Sequence, residues 1–158
     1  MPRRGSAPVR KLALDPVYGN YMVTKLVNRS MRDGKKSVAQ KEVYRAFELF
    51  QEKGEDPMTI FGKALDNIRP TMEVRSRRVG GAAYQIPMPV SGVRKDSLAI
   101  RWLVESARKR SNSEFHTYAE KLVAEISDAA KGEGGSVKKR LDIEKMAEAN
   151  RAFSHFRW

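Results

Sequence analysis

The 158-residue sequence contains no cysteine, which excludes disulfides and thiolate metal sites and agrees with a reducing cytoplasm. Histidine is scarce as well. His116 and His155 are the only two, and neither belongs to an HExxH motif, a Ser-His-Asp order or a ligand-spaced group. Gly80-Gly81 stands without GxGxxG or Walker spacing, so no nucleotide loop is indicated. No apolar run approaches the roughly 20 residues of a membrane helix, and no apolar segment follows the basic start Met1-Pro-Arg-Arg as in a signal peptide. These absences argue against an enzyme, a metalloprotein and a membrane protein, and no cofactor is expected. One soluble, cytoplasmic domain over residues 1–158 is expected, long enough to bury about 68–70% of its unfolded surface.

Acidic residues are also in short supply. Lys plus Arg number 31 against 19 Asp plus Glu, a net charge of +12. The surplus is local: residues 1–36 carry nine basic and two acidic side chains, and residues 69–110 carry ten and three. Residues 37–68 carry four and six, and residues 111–158 carry eight of each. A surplus serving only solubility would be spread evenly. Gathered into two segments, it points to a polyanionic partner.

The basic segments punctuate a mainly helical pattern. Residues 1–14 lack periodicity and hold Arg3, Arg4, Arg10 and Lys11, an extended arm suited to phosphates. Asn20 caps a first helix with Met22, Val23, Leu26, Val27 and Met31 inward and Lys25, Arg29 and Arg32 outward, closed by Asp33-Gly34. Lys35-Lys36-Ser37 opens a second helix with Val38, Val43, Phe47 and Phe50 inward and Glu42, Glu48 and Glu52 outward, ending at Gly54. Asp56-Pro57 starts a third, which packs Ile60, Phe61, Ala64, Leu65 and Ile68 and stops at Pro70.

Residues 72–90 read as a β-hairpin around Gly80-Gly81, a pair able to take the positive φ angles of a tight turn. Arg75, Arg77 and Arg78 lie on the outgoing arm and Tyr84 and Gln85 on the return arm. Pro87 and Pro89 deny the return arm ladder donors and confine it to an edge. So basic a ribbon is not a core element, and RNA is the expected surface for it to lie against.

A fourth helix follows over about Val93 to Arg110, with Leu98, Ile100, Trp102, Leu103 and Ala107 inward. Arg94, Arg101 and Arg108 recur every seven residues in one lengthwise stripe, with Lys95 beside it and Glu105 the one acidic neighbour able to offset it. Ser111-Asn112-Ser113-Glu114 matches a capping box for a fifth helix with Phe115, Tyr118, Leu122, Ile126 and Ala129 on one side. Lys131 to Gly135 is expected as a flexible break. Ser136 then caps a sixth helix with Val137, Leu141, Met146, Ala149 and Phe153 inward. Phe156 and Trp158 of the aromatic tail either tuck into the core or stack on a partner.

Arg prevails over Lys in the ribbon and the stripe, and its planar fork suits phosphate and base stacking. RNA of irregular shape, bound through backbone and minor groove, fits an arm, a ribbon and a helix face together. A free-standing nucleic-acid-compacting protein and a membrane-surface binder are the alternatives. Little Trp, Phe or Leu is left for a membrane once the helices are packed.

Four stretches carry a more specific likeness. Val74-Arg-Ser-Arg-Arg-Val-Gly-Gly-Ala-Ala-Tyr-Gln-Ile-Pro87, Asp33-Gly-Lys-Lys36, Leu98-Ala-Ile-Arg-Trp-Leu103 and Lys145-Met-Ala-Glu-Ala-Asn-Arg-Ala-Phe153, with terminal Arg157-Trp158, resemble the bacterial small-subunit ribosomal protein seven family. The resemblance runs in order along essentially the whole chain. It implies a six-helix bundle with one projecting β-hairpin between the third and fourth helices. It further implies a primary binder of small-subunit rRNA in the 3′ major domain that nucleates head assembly. The exit-site tRNA, the mRNA path and ribosomal proteins nine and eleven would lie nearby. On this resemblance Arg3, Arg4, Arg10, Lys35, Lys36, Arg75, Arg77, Arg78 and Arg94 bear on rRNA, and Lys11, Lys95, Arg101 and Arg108 join them by position. Gly80, Gly81, Tyr84, Arg157 and Trp158 are the candidates to face tRNA or mRNA.

Overall fold

Local chemistry sets most helix ends in the computed structural model, which describes residues 12–156. Helix α1 spans Tyr21–Ser30, with the Asn20 side chain accepting from the Met22 amide at 2.7 Å. Asp33 and Gly34 then turn at φ 52° and 73°, a left-handed pair that Asp and Gly tolerate best. Helix α2 spans Lys36–Glu52, and Gly54 at φ 76° closes it, with the Glu55 amide reaching the Phe50 carbonyl at 3.0 Å. Helix α3 spans Pro57–Ile68 behind the Asp56 cap. Strands β1 (Met72–Val79) and β2 (Ala82–Pro89) precede α4 (Gly92–Lys109), α5 (Tyr118–Ala130), α6 (Gly134–Ala149) and a 3₁₀ helix, Arg151–Phe156. The protein is mainly α, with one antiparallel hairpin between α3 and α4.

The later helices start elsewhere than their sequence suggests. The capping box that forms is Thr117 to Glu120, not Ser111 to Glu114: the Glu120 amide donates to Thr117 Oγ1 at 3.2 Å while Glu120 accepts from the Thr117 amide. Phe115 and His116 therefore precede α5. In place of a flexible break over Lys131 to Gly135, Lys131 to Glu133 form an ordered turn, and Gly134 and Gly135 are already the first residues of α6. The Glu133 and Gly132 amides bond back to Asp128 and Ala129 at 2.9 and 3.0 Å, with Gly132 at φ 86°. Ser136 lies inside α6 instead of capping it. Its amide and hydroxyl both donate to the Glu125 carboxylate, at 2.9 and 2.7 Å, so a side chain on α5 caps α6 from across the core.

Helix α5 is the centre of the bundle, packed against α2, α3, α4 and α6. Its Leu122, Ile126 and Ala129 are fully buried, and they join Leu26, Val43, Phe47, Phe50, Phe61, Leu65, Ile68 and Leu103 in one cluster. Six expected core positions fall outside it: Val38, Leu141, Met146 and Ala149 are exposed, and Phe115 and Phe153 are only partly buried. Val38 is 57% exposed because, in the first turn of α2, it faces the open groove, and Ala39 faces inward in its place. On α6, Leu141 and Met146 are exposed while Val137 and Ala147 are buried. The ribbon claims the face that a free amphipathic helix would have turned to the bundle, since α6 packs against β1 and β2 as well as α4 and α5.

The hairpin pairs Met72 with Pro89 through to Val79 with Ala82, without a bulge. Gly80 and Gly81 adopt φ 59° and 90°, a two-residue turn that no pair of ordinary side chains would enter freely. A two-residue turn makes Val79 and Ala82 a hydrogen-bonded pair, and alternation then puts Pro87 and Pro89 at non-hydrogen-bonded sites. Their missing amides would have pointed outward, so the ladder loses nothing. The base of the ribbon is buried after all: Ile86 is fully enclosed and Glu73 only 6% exposed. Ile86 and Ala147 are buried outside the main cluster. Urea unfolding should separate two positions that periodicity treats alike: Phe47→Ala should cost about 3–5 kcal/mol, and Val38→Ala less than about 0.5 kcal/mol.

Candidate nucleic-acid interface

Side chains 21 positions apart in the sequence meet where β1 passes the first turn of α4. Glu73 is the organiser. Its carboxylate accepts from Arg75 Nε and Arg94 Nε, each at 2.5 Å, tying the ribbon to α4 through one buried acid. Burial alone would raise the Glu73 pKa, but the hydrogen bonds from Arg94 and Arg75 outweigh it and hold the carboxyl below the usual glutamate range. Both guanidiniums remain about half exposed, so each keeps donors for a further anion.

From Arg94 the stripe runs along α4 through Arg101 to Arg108, about 21 Å at 1.5 Å per residue. Arg101 is exposed and makes no ion pair among the described residues. Arg108 donates to the Ser30 carbonyl at the end of α1, at 2.8 Å. There the stripe opens into a groove of about 510 Å³ whose lining holds Arg32, Lys35, Arg108 and Lys121 against Asp33 and Glu42, with Val38, His116 and Tyr118 among the rest. The Tyr118 hydroxyl bonds Ser30 Oγ at 2.9 Å, and burial pushes its pKa up. The ribbon, the α4 stripe and the turn between α1 and α2 thus form one cationic path. Lys35 and Lys36 are exposed at its far end, and Lys95 is half-buried near its start.

The candidates are not all brought together. Residues paired across the hairpin share a face, so Arg75 and Arg77 lie with Ile86 and Tyr84, while Arg78 lies on the opposite face with Ala83. Tyr84 is half-buried and packs on tail aromatics. Its ring sits 5.3 Å from Phe153 and 5.5 Å from Phe156, so those tail aromatics fold back on the ribbon. The ribbon lies against its own C-terminal helix rather than awaiting a partner for all its support. Gly80 and Gly81 are exposed at the tip. Arg3, Arg4, Arg10, Lys11, Arg157 and Trp158 lie outside the described residues.

Glu105 offsets the stripe only in part, through its charge interaction with Arg101, because its direct contacts go elsewhere. It bonds Lys139 of α6 at 2.7 Å and approaches Arg29 of α1 at 3.7 Å. The Lys139 hydrogen bond chiefly lowers its pKa. Lys25 and Arg29, expected on an outward face, instead pair across the seam between α1 and α4, Lys25 with Asp96 at 3.8 Å. Sequence reasoning missed Glu73 and Arg32. Glu73 had a signal, since residues two apart on a strand share a face, which sets it beside Arg75. Arg32 is legible in the sequence only as an outward cation of the first helix, and tertiary packing carries it to the end of α4. Among the described residues, no group of acids and histidines could hold a metal ion, and no helix is long and apolar enough to cross a membrane.

The family described as ribosomal protein S7p/S5e matches residues 2–151. The chain belongs to that family. Curated relatives named small ribosomal subunit protein uS7 align over the full length of both chains. That of Carboxydothermus hydrogenoformans is 55% identical, that of Caldicellulosiruptor saccharolyticus 56% and that of Thermobifida fusca 54%. S7p/S5e is a family of structural ribosomal proteins, and the cationic path is found in a chain of that class.

The brace at Glu73 gives a pH signature. Its folded pKa is depressed, so the stability it contributes is fully present above about pH 4.3, the ordinary glutamate value, and is lost as pH falls through the lower folded value. Glu73→Gln should cost about 1–2 kcal/mol at neutral pH. Its denaturation curve should converge with that of the parent in acid, as followed by circular dichroism.

Proposed function

We propose that this chain is a structural constituent of the small ribosomal subunit and a primary binder of its rRNA. In this reading it holds the 3′ major domain together and nucleates assembly of the subunit head. The observation that carries the reading is the continuous path from Arg75 and Arg94 through Arg101 to Arg108 and Lys35, joined at one end by the Glu73 brace. A path that turns from a ribbon onto a helix and into a groove suits convergent RNA helices better than a straight duplex. Membership of a ribosomal family supports the same conclusion.

The chemistry is electrostatic. Phosphates of converging rRNA strands repel one another, and guanidiniums between them neutralise that repulsion while displaced counterions supply much of the affinity. Arg75 and Arg94 are held in place by Glu73, so less conformational freedom is lost when they meet phosphate. The exposed Gly80-Gly81 tip would reach toward the exit-site tRNA and the mRNA path. Arg157 and Trp158 would extend the same side, with small-subunit proteins nine and eleven as neighbours. The N-terminal arm, through Arg3, Arg4, Arg10 and Lys11, would add phosphate contacts. All of this takes place in the cytoplasmic ribosome.

Salt-titrated binding to an rRNA fragment of the 3′ major domain tests the assignment. Arg78→Ala and Arg101→Ala should each reduce the slope of log K against log salt by about 0.7–0.9, without changing the melting temperature. An unchanged slope in both variants would remove the ribbon and the stripe from the interface. In a sucrose gradient the protein should co-migrate with the small subunit at moderate salt; a free-standing nucleic-acid-compacting protein would not.

A further inference from the structure

We infer that Phe153 and Phe156 are positioning residues for the arginine ribbon: they clamp Tyr84 on β2 and fix the ribbon's direction before RNA arrives. The inference rests on the RNA-binding reading of the ribbon and adds a part that reading does not contain. An isolated two-stranded hairpin is marginal in water, so its outer half needs support. The charged brace supplies support only at the base, where Glu73 holds Arg94 and where the Thr71 amide and hydroxyl donate to Glu144 at 3.1 and 2.9 Å. Tyr84 stands opposite Arg77, two residues beyond Ile86 and about 7 Å closer to the tip.

At that height the 3₁₀ helix closes on the ribbon. Tyr84 meets Phe153 and Phe156 at 5.3 and 5.5 Å between ring centres, the spacing of favourable aromatic pairs. The His155 ring lies 4.0 Å from Phe156, and its Nδ1 is 2.8 Å from the Ala152 carbonyl, so the clamping turn is itself held in shape. None of these rings belongs to the helical core cluster. The clamp can therefore open without unfolding the bundle, and its contribution is to orientation. Tyr84 packs on protein rings, which assigns it to holding the ribbon rather than to stacking on a nucleotide. Because the clamp acts on the free protein, its loss should weaken RNA binding through added ordering cost while leaving the phosphates contacted unchanged.

The test uses the full chain and the same rRNA fragment. In Phe153→Ala/Phe156→Ala, amide exchange in Arg77 to Gln85 should accelerate about tenfold, with the melting temperature of the helices unchanged. RNA affinity should fall about fivefold with the salt slope intact. Tyr84→Ala should reproduce both effects from the other side of the clamp, and Tyr84→Phe should behave as the parent. Unchanged ribbon exchange would overturn the proposal, as would faster exchange with unaltered affinity. A reduced salt slope would also overturn it, because phosphate contacts would then have been lost from the complex itself. Failure of the underlying RNA reading is seen separately, as an unchanged slope in Arg78→Ala.

Discussion

A helix enclosed on nearly all sides must satisfy every polar group it carries, and α5 is such a helix. Glu125 and Lys121 are only 1% and 8% exposed there. Stranding either charge would cost several kcal/mol, roughly 3–5 by comparison with broken buried pairs, so the surrounding chain is built to meet them. Glu125 accepts from Arg110, from the Ser136 amide and from the Ser136 hydroxyl, at 2.9, 2.9 and 2.7 Å. Lys121 donates to the Arg110 carbonyl at 2.8 Å and to Asn112. Together these bonds fix the end of α4 and the start of α6 around one buried centre. Gly135 eases the fit, since a Cβ there would lie 3.2 Å from Ser106 Oγ and Ser106 would have to give by a few tenths of an ångström. The orientation of α4, and with it of the arginine stripe, follows from how α5 is satisfied.

The same logic governs where the positive surplus ends up. Acids that might have neutralised the cationic path are committed elsewhere: Glu105 to α6 and α1, Asp96 to Arg69 and Lys25, and Glu42 to the Ala119 amide at the start of α5. Each of these bonds closes a seam between helices. What remains outside, at Lys35, Lys36, Arg78 and Arg101, has no ion-pair partner among the described residues. A protein that stood alone would pay for that arrangement in self-repulsion, while phosphate relieves it. Glu73 is the exception, because it keeps two cations in the path and sets their geometry without cancelling both charges. The mainly helical scaffold thus serves to hold one acid in a useful place and the others out of the way.

Much of this was legible along the chain. Asn20, Asp56 and Gly54 end or begin helices where their own side chains or backbone freedom require it, within a few residues. Gly80-Gly81 and the alternation around it specified the hairpin, and segregation of charge into residues 1–36 and 69–110 pointed to a polyanion. Such features are local: a cap, a left-handed φ and a charge count depend on neighbours in sequence. The capping box was misplaced because Ser111 and Thr117 offer similar local chemistry. Only the docking of α5 chose between them, with Glu42 on α2 bonding the Ala119 amide at 3.1 Å.

The amino-acid sequence by itself determined six helices, one tight hairpin and the presence of a basic surface, since each follows from short-range sterics, periodicity or composition. Tertiary structure alone decided that Glu73 would join Arg75 to Arg94, that Glu125 would cap α6, and that Phe153 and Phe156 would close on Tyr84. Those contacts link residues up to 72 positions apart. Their partners are selected by which faces remain unburied once the helices have packed, a quantity no local pattern contains.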